Sequence, residues 1–182
     1  MKLHETECFD LRTPDISDGS AVWQLIRDAG SLDLNSPYCY IMLCDIYRET
    51  CAVACSGTDI QGFMSGYRCP DKEDTLFVWQ VAVSEKSRGR GLAKAMLQEL
   101  LNRKGNEHIR YVEATIAPGN TASRRLFTGL AAEHGTECKV AEHYGKHLFP
   151  EGMNHEPELL FRIGPLRKRP VINRAYRELR RV

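Results

Sequence analysis

The stretch TLFVWQVAVSEKSRGRGLAKAML, residues 75–97, constrains the fold of this chain more than any other. Its first ten residues are almost unbrokenly apolar. A strand of that kind is buried on both faces, so it belongs in the middle of a sheet with helices packed against it. A charged, glycine-bearing turn follows. Then comes a helix pattern from Gly91 to Lys104, with Leu92, Ala95, Met96 and Leu100 on one face.

The flanking segments extend this unit. CFDLRTP reads as a short first strand. DISDGSAVWQLIRDAG reads as a helix capped by Ser17 or Asp18, with Val22, Leu25, Ile26 and Ala29 as its apolar stripe and Gly30 as its stop. After the polar connection SLDLNS, Ser36-Pro37 opens a second helix. Its body, YCYIMLCDIY, is apolar nearly all round and is expected to be well buried. TCAVACS and GFMSGYRCP read as strands joined through the turn-rich GTDIQG, and DKED as the turn into the central strand. RYVEATIAP is a further strand. NTASRRLFTGLAAEHG is a helix capped by Asn120 and closed by Gly135. ECKVAEHY and LLFRIGPL are the late strands. The order predicts a mixed α/β fold, antiparallel at first and parallel around the crossovers.

Of the 182 residues, 42% are hydrophobic and 27% charged, as in a globular chain. Residues 1–166 are expected to form a single domain. No apolar run reaches the ~20 residues that span a bilayer, and the first residues lack the apolar core of a signal peptide. A cytoplasmic protein without membrane contact is therefore expected. The seven cysteines include no CxxC pair and several lie in apolar patterns, so they read as reduced structural thiols with no metal site. The tail 167–182 holds seven Lys or Arg against one Glu. It has only Tyr176 as an aromatic, so nucleic acid is not the expected partner.

The turn between strand and helix carries the chemistry. A helix N-terminus offers backbone N–H groups without intrahelical partners and the positive end of a dipole, both suited to phosphate. Gly89 and Gly91 let a phosphate approach the backbone, and Lys86, Arg88, Arg90 and Lys94 add charge. The segment is neither a GxxxxGK[ST] loop nor a dinucleotide fingerprint. From this segment alone a solvated surface turn remains an alternative.

VWQVAVSEKSRGRGLAKAML resembles the acetyl-CoA motif of the GCN5-related N-acetyltransferases, in which a V-x-V strand leads into [Q/R]-x-x-G-x-[G/A] and a helix. Lys86 stands where that family has Gln or Arg. APGNTASRRLF resembles the family's N-x-x-[A/S] helix start, and the element order matches over roughly residues 8–166. The resemblance implies a strongly twisted mixed sheet flanked by helices, acetyl-CoA as cosubstrate, no metal, and a homodimer. LDLNSPYCYIMLC, LFVWQVAVS, RGRGLA, APGNTASRRLF and HEPELLFRIGP together are similar to a narrower branch that acetylates the 4-amino group of a small diamino acid.

The same resemblance implies the site. Val81, Ala82 and Val83 would pair with the pantetheine arm, and a backbone N–H near Val81 would face the oxyanion. Lys86, Ser87, Arg88, Gly89, Arg90, Gly91, Leu92 and Ala93 would hold the diphosphate, with Asn120 and Ser123 assigned to the coenzyme as well. Asp33, Trp79 and Glu158 would form the acceptor pocket. Asn35, Ser36, Tyr38 and Gln80, and more weakly Arg162, are candidates for the substrate carboxylate. The family's leaving-group acid, a Tyr seven residues after the helix Asn, falls here on Phe127. Tyr38 or Tyr40 is a substitute acid, and Glu158 or His155 the general base. Another small amine, a protein N-terminus, or a non-catalytic acetyl-CoA-binding module remain alternatives. The strand LLFRIGPL is a candidate contributor to the dimer.

Overall fold

The structure, a computed structural model, describes residues 8–30, 32–152 and 155–167. Residues 1–7 and the basic tail beyond Arg167 lie outside the described residues, and so does any role of that tail. In chain order come β1 (Asp10–Arg12), α1 (Gly19–Ala29), α2 (Pro37–Asp45), β2 (Ala52–Ser56), β3 (Asp59–Cys69) and β4 (Lys72–Val83). Then follow α3 (Leu92–Asn102), β5 (Tyr111–Ile116), α4 (Thr121–His134), β6 (Cys138–Tyr144) and β7 (Glu158–Ile163). The strand order is β1-β2-β3-β4-β5-β7-β6. β1–β2, β2–β3, β5–β7 and β6–β7 pair antiparallel, and β4–β5 parallel, so the sheet is mixed as expected.

The described residues fall into two compact units. One lies within Met1–Ser65 and Gln80–Arg103, the other within Gly66–Trp79 and Lys104–Lys168. In the first, Val22, Leu25 and Ile26 of α1 meet Tyr40, Leu43 and Cys44 of α2 over Val53, Cys55, Phe63 and Ala82 of the strands. Arg103, just past α3, donates to the carbonyls of Arg48, Glu49 and Cys51 at 3.0, 3.0 and 2.9 Å. One guanidinium thereby ties the end of α3 to the turn before β2. In the second unit, Glu113 of β5 is buried and accepts from Lys72 Nζ at 2.9 Å and from Arg162 of β7. The Arg162 guanidinium also lies over the Tyr111 ring.

Several expectations need correction. Asp18 is the N-cap of α1, one of the two expected, but its side chain makes no capping bond there. A 3-10 turn, Ile16–Asp18, precedes the helix, capped by Asp15, which accepts from the Ser17 N–H, while the Asp18 carboxylate accepts from the Asp15 N–H. Asp18 also holds Arg12 through two bonds, 2.6 and 2.8 Å, which is why it is buried. The body of α2 is not buried all round. Tyr40, Leu43 and Cys44 face the core, while Tyr38, Ile41 and Ile46 are exposed. Apolar content without a helical period does not say which face turns inward. β3 and β4 start earlier than their apolar runs, because a ladder extends through polar residues wherever the backbone stays paired. β7 lies inside the sheet, between β5 and β6. The strand LLFRIGPL therefore offers no free edge; that place belongs to β6.

Candidate active site

β4 ends at Val83, and a 3-10 turn, Glu85–Ser87, leads into Arg88-Gly89-Arg90-Gly91 and α3. Gly89 and Gly91 have φ of +74° and +75°, and an added Cβ would meet nothing within 4 Å at either. The left-handed backbone accounts for both glycines, and the space beside them is open. Gly91 is the N-cap of α3 and makes no side-chain cap bond. The first-turn N–H groups, Leu92 and Ala93 among them, stand at the positive end of the dipole.

The turn is fastened from behind. Ser84 Oγ and Ser87 Oγ both donate to the buried Gln61 Oε1 of β3, at 2.6 and 3.2 Å. Ser87 is buried, so its hydroxyl anchors the loop rather than facing a ligand. Arg88 does not point at the glycines. Its Nε and Nη2 donate to the carbonyls of Val83 and Ala29, both at 3.3 Å. The Arg90 guanidinium lies 4.6 Å from the centroid of the Phe9 ring. Lys86, in the preceding 3-10 turn, is exposed.

The direction of the β4 backbone follows from two bonds. Ser84 N–H donates to the Gln61 carbonyl at 2.8 Å and Gln80 N–H to Ser65 Oγ at 3.2 Å, both on β3. N–H groups alternate between the two edges of a strand. Val81 and Val83 therefore turn their N–H groups to the edge away from β3. Ala82 packs in the core, and Trp79 is on the other face of the strand, 43% exposed. A tryptophan on an apolar strand is ordinarily core; this one is not.

The loop before α2 is also fixed. Trp23 Nε1 donates to the Asn35 carbonyl at 3.2 Å, and the Asn35 N–H donates to the hydroxyl of buried Tyr40 at 3.2 Å. Ser36 Oγ caps α2 by accepting from the Cys39 N–H. Gln80 Nε2 donates to the Asp33 carbonyl at 2.9 Å, bringing together two residues 47 positions apart. The Asp33 side chain is exposed, and Tyr38, in the first turn of α2, is 68% exposed. Tyr40 thus holds the loop through its hydroxyl.

Trp79, Asn120, Ser123, His155 and Glu158 belong to the second unit. Asn120 Oδ1 accepts from the Ser123 N–H at 3.0 Å and so caps α4. Phe127 is buried, an apolar replacement for the family's tyrosine. His155 stacks on Phe149 at 3.8 Å, and its Nδ1 lies 2.6 Å from the Glu156 carbonyl. A carbonyl only accepts, so Nδ1 carries the proton and neutral His155 has its lone pair on Nε2. Glu158 opens β7 opposite Tyr144 of β6. Arg162 is engaged with Glu113 and Tyr111, which withdraws it from the carboxylate candidates. Gln61, Trp23 and Glu156, which accepts from the Gly119 N–H at 2.8 Å, escaped the sequence reading. Single polar residues in ordinary patterns carry no signal of such long-range bonds.

None of the seven cysteines is in a disulfide, and burial pushes the Cys44 thiol up to about 12. Among the described residues no group of three or more His, Cys, Asp or Glu is placed to hold a metal ion. No helix among them is long and apolar enough to cross a membrane.

An α/β chain whose central strand runs through a glycine turn into a helix matches the acetyltransferase (GNAT) family over residues 20–130. The chain belongs to that family and is an acyltransferase. Within it, the chain is similar to L-2,4-diaminobutyric acid acetyltransferases. It is 45% identical to that of Shouchella clausii over 163 residues, 90% of each chain. It is 47% identical to that of Streptomyces avermitilis over 167 residues, 90% of this chain and 92% of the relative. A solved structure of the diaminobutyrate acetyltransferase EctA of Paenibacillus lautus, in complex with its substrate L-2,4-diaminobutyric acid and coenzyme A, is 49% identical. It superposes with a TM-score of 0.86, covering 90% of this chain and 99% of that one.

Proposed function

We propose that the chain transfers the acetyl group of acetyl-CoA to the 4-amino group of L-2,4-diaminobutyrate, giving N4-acetyl-L-2,4-diaminobutyrate. This is a step of ectoine biosynthesis under osmotic stress, in the cytoplasm. The observation that carries the reading is the likeness, over nearly the whole of both chains, to an enzyme solved with that substrate and coenzyme A.

The geometry supports a division of labour. Diphosphate rests on the N–H groups around Gly89, Gly91, Leu92 and Ala93, beside Lys86. The pantetheine arm pairs with the outer edge of β4 at Val83, and the thioester carbonyl takes the Val81 N–H. That donor is fixed by the strand before reaction, so it stabilises the developing oxyanion without reorganisation. The neutral amine attacks the carbonyl carbon, a C–N bond forms, and the C–S bond breaks as the thiolate leaves. The proton from nitrogen passes to Glu158, or to Nε2 of His155. Tyr38 is the candidate donor to the thiolate, whose pKa of about 8.5 makes it a fair leaving group without help. Asp33 and Trp79 complete the assignment on the acceptor side. Asn120 and Ser123 act through the cap of α4. Holding both reactants supplies much of the rate.

A homodimer is part of the proposal. It is supported by the exposed apolar residues Val140 and Tyr144 on β6, the strand that ends the sheet.

The test is release of free thiol when purified protein receives acetyl-CoA and L-2,4-diaminobutyrate. Product carrying acetyl on the 4-nitrogen, read by NMR, is the expected result. Thiol release with other small amines or peptide N-termini but none with this one overturns the substrate. Coenzyme binding by calorimetry with no thiol release from any amine overturns the enzymatic reading.

A further inference from the structure

The side chain of Gln80 has a half-satisfied amide. The residue is 5% exposed, on the face of β4 shared with Val78 and Ala82. Its Nε2 donates to the Asp33 carbonyl at 2.9 Å, while its Oε1 is buried and has no hydrogen-bond partner among the described residues. The orientation is not interchangeable. A backbone carbonyl has lone pairs only, so the nitrogen must face Asp33 and the oxygen must face away. The anchor is itself held, since the loop that carries Asp33 is tied down by Trp23 and Tyr40 through Asn35. A buried acceptor without a donor is costly, and such groups in native proteins need a reason.

We propose that Gln80 is a specificity-determining residue whose Oε1 accepts a hydrogen bond from the 2-ammonium of the diamino acid. This rests on the acceptor reading given above and deepens it. The unmet, buried oxygen adds an acceptor role to the donor role expected from the sequence. One N–H of Gln80 is taken by the Asp33 carbonyl, and its oxygen calls for an N–H. Of the substrate's two amines, the 4-amine must surrender a proton and turn its lone pair to the thioester. The 2-ammonium keeps its charge throughout, and a bond from a charged donor is the stronger kind. A pinned neutral oxygen also selects a cation by position without adding a buried charge.

The experiment compares L-2,4-diaminobutyrate with 4-aminobutyrate, which lacks the 2-ammonium, in wild type, Gln80→Met, Gln80→Leu and Gln80→Glu. The readout is the ratio of kcat/KM for the two amines, with melting temperature and coenzyme affinity as controls. In Gln80→Met and Gln80→Leu the preference for the diamine is expected to fall roughly 10- to 100-fold, the range of a charge-assisted hydrogen bond. The fall should appear in the KM of the diamine, with coenzyme affinity held. Gln80→Glu, which retains an acceptor oxygen, should keep the preference. Two results overturn the inference: an unchanged preference, including no detectable use of 4-aminobutyrate by any variant, or equal losses for both amines, as expected if Gln80 only braces the Asp33 loop or binds a water. Should Met and Leu both lower the melting point sharply, the folded fraction of Gln80→Glu decides: loss of preference there also overturns it. Failure of the wild type to acetylate the diamine overturns the proposed function instead, and this inference with it.

Discussion

Gly91 separates conformation from ligand contact at one residue. Its φ of +75° makes Gly91→Ala strained by about 1–2 kcal/mol. Among the described residues nothing beyond its chain neighbours lies within 4 Å of the new methyl. The methyl instead enters the space assigned to the diphosphate. The variant should melt a few degrees lower, while acetyl-CoA affinity by calorimetry falls by at least about 10-fold, or ~1.4 kcal/mol. Affinity that falls no further than the folded fraction would place the diphosphate elsewhere. Cys44 makes a second case. Its thiol, raised to about 12 by burial, is almost wholly protonated near neutrality, and only thiolate is nucleophilic. Mass spectrometry after brief alkylation at neutral pH should find Cys44 unmodified in the native protein and modified in denaturant. The sequence reading of these two residues came from opposite kinds of signal. Gly91 sat in a motif, and Cys44 in an apolar run; Gln80 sat in neither, and its meaning depends on a carbonyl far away in the chain.

Among elements, the parallel pair β4–β5 carries a buried carboxylate. Burial raises the Glu113 carboxyl, but the hydrogen bonds from Lys72 and Arg162 and their charges outweigh it and hold it below the ordinary range. A carboxyl held lower in the folded state stabilises the fold above its unfolded pKa and loses that contribution as pH falls through the folded value. Thermal stability should therefore decline in acid, and Glu113→Gln should flatten the decline while costing about 1–2 kcal/mol near neutrality. Identical acid slopes for the two proteins would remove Glu113 from the balance. Arg103→Leu strips three carbonyls of one donor and should cost about 2–3 kcal/mol, measured by denaturant midpoint. Element order and type were legible along nearly the whole chain, since strand and helix periods are local. The facing of α2 was not, because YCYIMLCDIY has no polar stripe to orient it. The place of β7 was not either. Which late strand lies next to β5 is settled by pairing across 40 residues or more, and LLFRIGPL and ECKVAEHY both read simply as strands.

For the whole molecule, the proposed assembly makes the prediction. Light scattering should give a mass about twice 20.7 kDa. Val140→Asp on β6 should shift that mass toward the single chain without changing the circular dichroism. A monomer for wild type would leave the exposed apolar residues of β6 to another use. The family was legible because its coenzyme motif is contiguous. The proposed acceptor side was less so, because the residues assigned to it come from separate segments, and bonds such as that from Gln80 to the Asp33 carbonyl use backbone atoms that side-chain identity does not report.

The two serines of the turn between β4 and α3 share one oxygen of Gln61. Positions 61, 84 and 87 therefore behave as a single chemical unit in mutational drift. A leucine at 61 alone strands two hydroxyls, and an alanine at 84 or 87 alone removes a donor, yet a concerted exchange of all three for apolar groups of matched size leaves nothing unmet. Descendants of this chain should retain the trio or replace it together, and isolated changes should be rare survivors.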